Sequence, residues 1–404
     1  MSRFGSVVTR TALPLVALLV LGAGPLELAY LVISASAATL VVGLFAGAWV
    51  DRLRRRPILI ATDIVRAALL FSIPLAQGLG ALRIEQLYVV AFLVECLSTL
   101  FASAYPAYVP SLIGVERVVE GNSKLAMSSS IAEVGGPGLA GALVQIVSAP
   151  FAILVDAWSF LISAISLALI RSPEAARPAR ETTSRILHEI VDGLRVVRQH
   201  ALVFPLAARS IVGHVFGSFY GVLYSLYLLE ELHLDPFLLG VVISAGGVGS
   251  IVGSVFAERV IGRLGIGPAI IWMSIAASAL GVLTPLAQGP VALATLMVFL
   301  PQLIGDGLQT IEGVGEISLV QGLIPDRILG RTNATLEVVS HGVGYPIGAL
   351  IAAFIAEQIG VRGAIAVGWA GMAASIAFLV FSPLPRVRTA ASWRAQRELA
   401  GAET

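Results

Sequence analysis

The chain has 404 residues, of which 57% are hydrophobic and only 13% charged, with a formal net charge of +1. Soluble domains carry about 25% charged residues, so this composition excludes an ordinary water-soluble fold and indicates a protein of the lipid bilayer. The nearly neutral balance gives no reason to expect a nucleic-acid partner. The single Cys96 excludes an intramolecular disulfide framework and the common multi-cysteine metal sites. We therefore expect no metal and no cofactor.

Long apolar segments recur along the whole chain. A transmembrane helix needs about 20 mostly apolar residues, and twelve segments of this sequence meet that requirement. They cover residues 6–22, 28–49, 57–79, 86–108, 125–147, 150–170, 202–228, 236–257, 267–286, 290–318, 335–356 and 362–382. The predicted fold class is an all-α polytopic membrane protein with twelve transmembrane helices.

The loops between these segments differ in their content of Lys and Arg, which remain on the cytoplasmic side of a membrane. If the N-terminus is inside, 22 of the 26 basic residues fall in cytoplasmic segments. Only Arg83 and Arg362 fall in outer loops, while Arg66 and Arg209 lie within spans. This distribution predicts that both termini are cytoplasmic.

The longest polar interval, residues 172–200, divides the spans into six and six. Its second part places Ile186, Ile190 and Val197 on one helical stripe, which predicts an amphipathic helix at the cytoplasmic surface. An ordinary solvated connector is the alternative. The predicted organisation is an N-terminal six-helix bundle (1–171), the linker (172–200), a C-terminal six-helix bundle (201–383) and a cytoplasmic tail (384–404).

The two halves share a weak internal repeat. LIGVERVVEGNSKL at 112–125 resembles LIPDRILGRTNATL at 323–336. In this comparison Arg117 corresponds to Arg327, and Asn122 corresponds to Asn333. Each stretch follows the fourth span of its half. Duplicated halves give many secondary transporters two bundles around a site at the membrane midplane, so the repeat favours two pseudo-symmetric bundles.

The loop between spans two and three reads GAWVDRLRRR over residues 47–56. Its candidate gating and structural residues are Gly47, Asp51, Arg52, Arg55 and Arg56. The loop resembles the signature of the major facilitator superfamily, in which a Gly, an Asp-Arg pair and a basic pair join these spans. Arg54 stands where the family usually has a second Gly. Gly47 would allow close helix approach, and Asp51 could cap the next helix or pair with an arginine.

Span five contains GGPGLAG at 135–141, with Gly136, Pro137 and Gly141 as its structural residues. This stretch is similar to the Gly-Pro motif of drug and proton antiporters of the superfamily. The proline kinks the helix, and the glycines would let span eight approach. The matching small face of span eight would consist of Gly246, Gly247, Gly249 and Gly253.

The wider pattern, which includes DIVRA at 63–67, resembles the bacterial branch that contains siderophore (enterobactin) and macrolide or multidrug exporters. The resemblance implies a major facilitator fold in a bacterial cytoplasmic (inner) membrane and a transporter, not an enzyme. It also implies export, but not of a particular cargo. We further expect a small-molecule substrate, protons as the coupling ion, and function as a monomer.

The first span is unusual, because only about 12 apolar residues, roughly 18 Å of helix, follow Arg10. We expect either a short first helix or a start further upstream. A signal peptide is the rival interpretation of residues 1–23.

Ionisable residues inside spans are functional candidates, because they are costly at bilayer depth. Glu95 in span four and Asp306 in span ten occupy equivalent positions of the two halves, with the offset that relates Asn122 to Asn333. Both are candidates for substrate binding or proton coupling. The other candidates are Glu133 in span five and, on the face of Asp306, Gln309, Glu312 and Glu316. Glu312 and Glu316 could instead sit at the cytoplasmic rim and pair with arginines of the following loop.

The remaining intramembrane polar residues have a structural interpretation as well. Asp63 and Arg66, spaced i,i+3, suggest an ion pair within one helix. His214 and His341 would be packing residues or, less readily, a proton relay. Three aromatic residues of span seven are candidates for a substrate pocket that suits lipophilic cations; these are Phe216, Phe219 and Tyr220.

The sequence therefore predicts a secondary active exporter of small lipophilic or amphipathic molecules that works by proton antiport with alternating access. The alternatives are a siderophore or metabolite carrier for export or uptake, and a membrane sensor or scaffold without transport. An embedded enzyme is disfavoured because HExxH, GxSxG, CxxC and P-loop patterns are absent from the sequence.

Overall fold

The structure is a computed structural model that describes residues 2–52, 54–113, 117–170, 195, 197–198, 200–324 and 326–389. Throughout this part of the chain the regular structure is helical, and no strand occurs in it. Most of the linker and of the tail, and so the predicted amphipathic helix, lie outside the described residues.

The N-terminal part forms seven helices. They are α1 (Ser2–Leu21), α2 (Pro25–Arg52), α3 (Arg55–Gly78), α4 (Ile84–Ile113), α5 (Val118–Val147), α6 (Ala149–Ala152) and α7 (Leu154–Leu169). Helix α1 has 20 residues and is apolar enough to cross a bilayer. The expectation of a short first helix is therefore wrong, because the helix extends upstream of Arg10 to Ser2 and so gains the missing turns.

The C-terminal part alternates α-helices with three π-helical segments. The α-helices are α8 (Val203–Leu226), α9 (Pro236–Leu264), α10 (Ile266–Gly281), α11 (Leu283–Leu286), α12 (Val291–Leu300), α13 (Asp306–Leu323), α14 (Asp326–Glu337), α15 (Tyr345–Ser375) and α16 (Ala377–Val380). The π-helical segments are π1 (Tyr227–Glu231), π2 (Pro301–Gly305) and π3 (Val338–Gly344). Each π segment continues an α-helix without a break, and such insertions are frequent at functional sites.

Eleven helical stretches of the described chain are long and apolar enough to cross a membrane, so the structure does not reproduce the predicted count of twelve. The last stretch, Ile328–Val380, has 53 residues, far more than one crossing requires. Within it, Gly360 has φ +82° and ψ 164°, which is not helical.

The outer surface of the helices is apolar. Large hydrophobic side chains such as Ile146, Leu169 and Phe381 are mostly exposed. Many other large hydrophobic side chains are exposed as well. A soluble protein rarely exposes large apolar patches, whereas lipid is a suitable solvent for apolar side chains. The exposed face and the helix lengths together describe a multi-pass membrane protein.

Contacts divide the chain into two compact units, one of residues 1–183 with Leu228–Ser244 and one of residues 184–227 with 245–404. In the first unit, α3 packs against α7 and α4, and α1 packs against α5. In the second, α8 packs along α15, and α10 packs against α13. An apolar core in the second unit joins residues of α8, α10 and α13, among them Leu206, Ile270 and Leu319.

Glycines mark the closest helix approaches of both units. In the first unit, a Cβ on Gly136 would collide with Val7 of α1, and one on Gly141 would collide with the carbonyl of Pro236 at the start of α9. In the second unit, a Cβ on Gly249 would collide with the carbonyl of Leu303 in π2, and one on Gly253 with the carbonyl of Gly307 in α13. The absence of side chains lets the helix backbones touch at these points.

The predicted match between the small faces of spans five and eight is therefore only partly right. Span five approaches span eight through Gly240 and Ser244, whose hydroxyl oxygen accepts a 2.8 Å hydrogen bond from the backbone N–H of Gly138. Gly246, Gly249 and Gly253 face span ten instead. The two sets differ because they lie on different sides and at different heights of one long helix.

Candidate functional site

The second unit contains a polar cavity of about 580 Å³. The lining residues come mainly from α8, α10, α11, π2, α13, π3 and α15. The lining includes Arg209, His214, Tyr220, Tyr224, Gln302, Asp306, Gln309, Glu312, His341, Tyr345 and Trp369. Acidic, basic, imidazole and aromatic groups thus share one space large enough for a small organic molecule.

Helix α8 presents a continuous stripe to the cavity. Ser210, Gly213, Gly217, Tyr220 and Tyr224 recur at intervals of three and four residues, which places them on one side of an α-helix. Small residues near the start of the stripe leave space, and the tyrosines further along provide ring surface. The spacing is visible in the sequence, which could therefore have identified this face.

Asp306 begins α13 directly after π2, and its carboxylate lies close to Gly246 of α9, where a Cβ would collide with it. Gln302 of π2 lies beside the same glycine. The side chain of Asp306 is half-buried, and no cation near it is found among the described residues. Asp306 is thus a cavity carboxylate without a protein counter-charge in the described part of the chain.

Glu312, one of the predicted coupling residues, forms an ion pair with Arg209 of α8. The carboxylate side chain is 3% exposed and the guanidinium side chain 24% exposed. This contact favours pairing of Glu312 with Arg209 over the alternative of a loop arginine at the cytoplasmic rim. Glu316, one turn later, is half-buried and also interacts electrostatically with Arg209, but it does not line the cavity. Gln309 is an exposed lining residue.

The aromatic residues of the cavity differ in part from the predicted set. Tyr220 lines it, as predicted, together with Tyr345 and Trp369 of α15, which the sequence analysis missed. Phe216 and Phe219 do not line the cavity, because their rings fill the spaces that Gly371 and Gly368 leave on α15. Trp369 is held by a 2.8 Å hydrogen bond from its indole nitrogen to the carbonyl of Ser278.

The two membrane histidines meet in the cavity. The rings of His214 and His341 have centroids 4.5 Å apart and planes at 63°. Tyr345 stacks on the ring of His341, with 5.6 Å between the ring centroids. Because the two histidines are far apart in the sequence, the sequence analysis could not predict that they meet.

A buried charge cluster occupies the first unit. Arg66 and Asp63 form the predicted ion pair within α3, with 2.5 Å between guanidinium nitrogen and carboxylate oxygen. The guanidinium is sandwiched between the rings of Phe101 and Phe160, at 4.6 and 4.1 Å from their centroids. Both charges are almost completely buried, and this packing supports the structural interpretation of the pair.

Glu95 of α4 belongs to the surroundings of this cluster. It is half-buried, and Arg66 interacts electrostatically with it. Arg66 also donates a 3.3 Å hydrogen bond to Ser98, which lies three residues after Glu95 and so on the same side of α4. Glu95 therefore has a nearby cation, unlike Asp306.

The sequence analysis missed Asp156 of α7, which is 1% exposed. It accepts a 3.1 Å hydrogen bond from Ser159 and interacts electrostatically with Arg66. Gly5 of α1 lies against its carboxylate. An acidic residue near the start of an apolar span was the available signal.

Glu133 lies outside the buried part of the first unit. It pairs with Arg10 of α1 at 2.5 Å, with side chains 47% and 66% exposed. This contact favours the structural interpretation of Glu133 over a coupling role.

The loop residues are only partly described. Arg55 is buried, and Arg56 donates hydrogen bonds of 3.0 and 2.8 Å to the carbonyls of Leu167 and Ala168 at the end of α7. Arg117 and Asn122 are exposed. Several predicted motif residues have side chains outside the described part; these are Gly47, Asp51, Arg52, Arg327 and Asn333.

Long apolar helices around a polar cavity define the chain as a multi-pass membrane transport protein. A sequence profile described as Major Facilitator Superfamily matches residues 1–338. The chain belongs to that superfamily, so the predicted family is confirmed.

Relatives of this chain include efflux proteins. The multidrug efflux pump Tap of Mycolicibacterium fortuitum is 24% identical over 334 residues, covering 80% of this chain and 79% of the pump. Macrolide efflux protein A of Streptococcus pyogenes is 23% identical over 333 residues, covering 80% and 78%.

Solved structures show the same fold at lower identity. A bacterial homologue of the iron transporter ferroportin, in an inward-facing state, has a TM-score of 0.72 at 20% identity, covering 94% of this chain and 95% of its own. A mutant of the nucleoside transporter NupG has a TM-score of 0.72 at 13% identity, covering 94% and 97%.

Proposed function

We propose that this protein is a secondary active exporter of small lipophilic or amphipathic molecules, driven by proton antiport with alternating access. The membrane would be the cytoplasmic membrane of a bacterium, both termini would be inside, and a monomer would suffice. Efflux proteins among the relatives support export. The division of basic residues between the loops supports the orientation.

The observation that carries the proposal is Asp306 in its cavity. A carboxylate removed from water requires a counter-charge or a proton, and the described residues supply no cation near it. Tyr220, Tyr224 and Trp369 surround the same space with aromatic surface, which favours lipophilic molecules with a cationic group. Proton and substrate would therefore compete for Asp306, and such competition is the requirement of an antiporter.

The other candidates are less suited to this competition. Glu312 is paired with Arg209, and Glu133 with Arg10. Glu95 has Arg66 nearby, so its charge is already partly balanced. We assign proton exchange to Asp306 first and keep Glu95 as the second candidate, at the equivalent position of the other half.

We propose further that the stretch Ile328–Val380 contains two membrane spans. Gly360 interrupts the helical backbone in the middle of this stretch, and Arg362 beside it was predicted to lie in an outer loop. Two crossings there would restore the six-plus-six arrangement of two repeated halves.

The test is proton release from purified protein when a lipophilic cation is added in weakly buffered solution. We expect release from the wild type and none from Asp306→Asn, which keeps the size of the side chain but not its proton. Glu357→Gln, the same change at an exposed acid of α15, is the matched control and should release protons normally. Binding without proton release in the wild type would contradict antiport at this site.

A further inference from the structure

Proton antiport at Asp306 assigns no role to the two histidines of the cavity, His214 and His341. His214 lies on α8 and His341 in π3, and both line the cavity. Their Nδ1 atoms face partners on their own helices, and no hydrogen bond to either Nε2 occurs in the described part of the chain. Two Nε2 atoms are thus free to act within one small space.

The tautomer of His214 follows from its partner. Its Nδ1 lies 2.7 Å from the carbonyl oxygen of Ser210, and a carbonyl can only accept, so Nδ1 carries the hydrogen. In the neutral ring the lone pair then lies on Nε2. A metal-binding histidine is oriented in this way, with the other nitrogen donating to a carbonyl or carboxylate.

His341 has a carboxylate near its Nδ1 atom. Its Nδ1 lies 3.6 Å from the carboxylate of Glu337, one turn earlier. This distance is too long for a hydrogen bond, but the carboxylate, which only accepts, favours the hydrogen on Nδ1. His341 therefore also presents Nε2 as a ligand, and it does so from a π-helical segment.

The separation of the rings fits one metal ion. Imidazole nitrogen binds first-row metals at about 2.1 Å, which places the metal about 3.2 Å from each ring centroid. If both Nε2 atoms face the ion, centroids 4.5 Å apart subtend about 90° at the metal, the angle between neighbouring ligands of an octahedral ion.

We propose that His214 and His341 bind a divalent transition-metal ion through their Nε2 atoms. Imidazole suits Zn²⁺, Cu²⁺, Fe²⁺ and Ni²⁺, whereas Mg²⁺ and Ca²⁺ prefer oxygen ligands. No group of three or more His, Cys, Asp or Glu residues that could hold a metal occurs among the described residues. The protein thus supplies two ligands, and water or another molecule supplies the rest.

Two protein ligands in an open cavity suit an ion that must leave again, not a resident cofactor. The ion could enter alone or inside a small chelating molecule that fills more of the 580 Å³. The assignment of this ion as cargo rests on the proposed transport function, whereas the binding site itself does not.

The experiment uses Cu²⁺ as the probe, either alone or as its iminodiacetate complex, which leaves neighbouring coordination positions open. Full-length protein is purified with an affinity tag that contains no histidine. We expect one Cu²⁺ per chain and a pulsed electron paramagnetic resonance signal from two imidazoles. Binding of the complex would indicate a chelated ion, and binding of Cu²⁺ alone an unchelated one.

Variants identify the ligands. His214→Ala and His341→Ala should each weaken binding by about 10- to 100-fold and remove one imidazole from the signal. Should either alanine variant fail to fold, His214→Gln and His341→Gln keep a polar side chain of similar size. Glu337→Gln, at a positioning residue, should weaken binding by about tenfold while two imidazoles remain.

His233→Asn is the matched control, because His233 is exposed and has a φ of 54°, which asparagine tolerates. It should bind Cu²⁺ as the wild type does. Wild-type affinity in His214→Ala or His341→Ala, or no binding by the wild type, would overturn the proposal. Export of a lipophilic cation, measured in parallel, separates the two ideas. Export without metal binding removes only this inference, and metal binding without export removes only the proposed function.

Discussion

The Arg209–Glu312 ion pair joins helices α8 and α13 where both line the cavity. Glu312 is 3% exposed, so it needs its partner, because removing one member of a buried pair leaves the other charge uncompensated. Arg209 keeps 24% of its side chain exposed and can recover some solvation if the pair is broken.

We expect Glu312→Gln to lower the free energy of unfolding by about 3 kcal/mol, as for other broken buried pairs. The double variant Arg209→Gln with Glu312→Gln should regain part of that loss, since it leaves no isolated charge. Thermal unfolding midpoints of the purified proteins measure both effects, with Glu357→Gln as the exposed control. Additive losses in the double variant would show that the two residues do not act as a pair.

Local charge pairs were predictable from the sequence, and distant ones were not. Asp63 and Arg66 are neighbours on one helix face, so their spacing alone indicates contact. Arg209 and Glu312 lie on different helices, and His214 and His341 likewise, so only the packing of α8 against its neighbours brings them together. The aromatic prediction failed for Phe216 and Phe219 because glycines of α15 accept their rings.

At the scale of elements, glycines decide how closely helices approach. Gly249 of α9 touches the backbone of π2, so a methyl group there must push α9 away from the helix that holds Asp306. Gly313 of α13 has no atom within 4 Å of the position of an added Cβ. The same substitution by alanine at the two glycines therefore compares a crowded position with an open one.

We expect Gly249→Ala to destabilise the protein by about 1–3 kcal/mol, the usual range for overpacking. Gly313→Ala should be neutral or stabilising by up to about 1 kcal/mol, since alanine is the better helix former. Unfolding midpoints and the yield of monodisperse protein check both values. Equal effects of the two variants would mean that the close contact of α9 is not needed.

The π segments could not be predicted from the sequence. Neither PQLIG at 301–305 nor VVSHGVG at 338–344 has a pattern that distinguishes a π-helix from an α-helix. Both segments supply cavity residues, Gln302 and His341, because the wider turn changes where the following side chains point.

At the scale of the whole molecule, the apolar segments and the loop signature were enough to predict the family. Composition and periodicity are averaged over many residues, so they tolerate local errors. The structure counts eleven long apolar stretches instead of twelve because the helical stretch Ile328–Val380 runs across Gly360, where the sequence predicts an outer loop between two spans.

Labelling at Gln358 tests the number of spans. In a Cys96→Ala background, Gln358→Cys should react with a membrane-impermeant thiol reagent added outside the cell, because residues beside Gly360 would form an outer turn. Arg54→Cys, in the predicted cytoplasmic loop after α2, should react only after the membrane is permeabilised. Protection of Gln358→Cys from both sides would contradict two spans in Ile328–Val380.

The central claim is that Asp306 couples proton entry to substrate exit, and transport in liposomes tests it directly. Wild type, Asp306→Asn, Glu95→Gln and Glu357→Gln are compared for accumulation of a lipophilic cation driven by a pH gradient and for exchange at equilibrium. We predict that Asp306→Asn loses gradient-driven accumulation and that its exchange of the cation also falls, because the variant removes the carboxylate for which proton and cation compete. Full gradient-driven accumulation by Asp306→Asn would contradict the account.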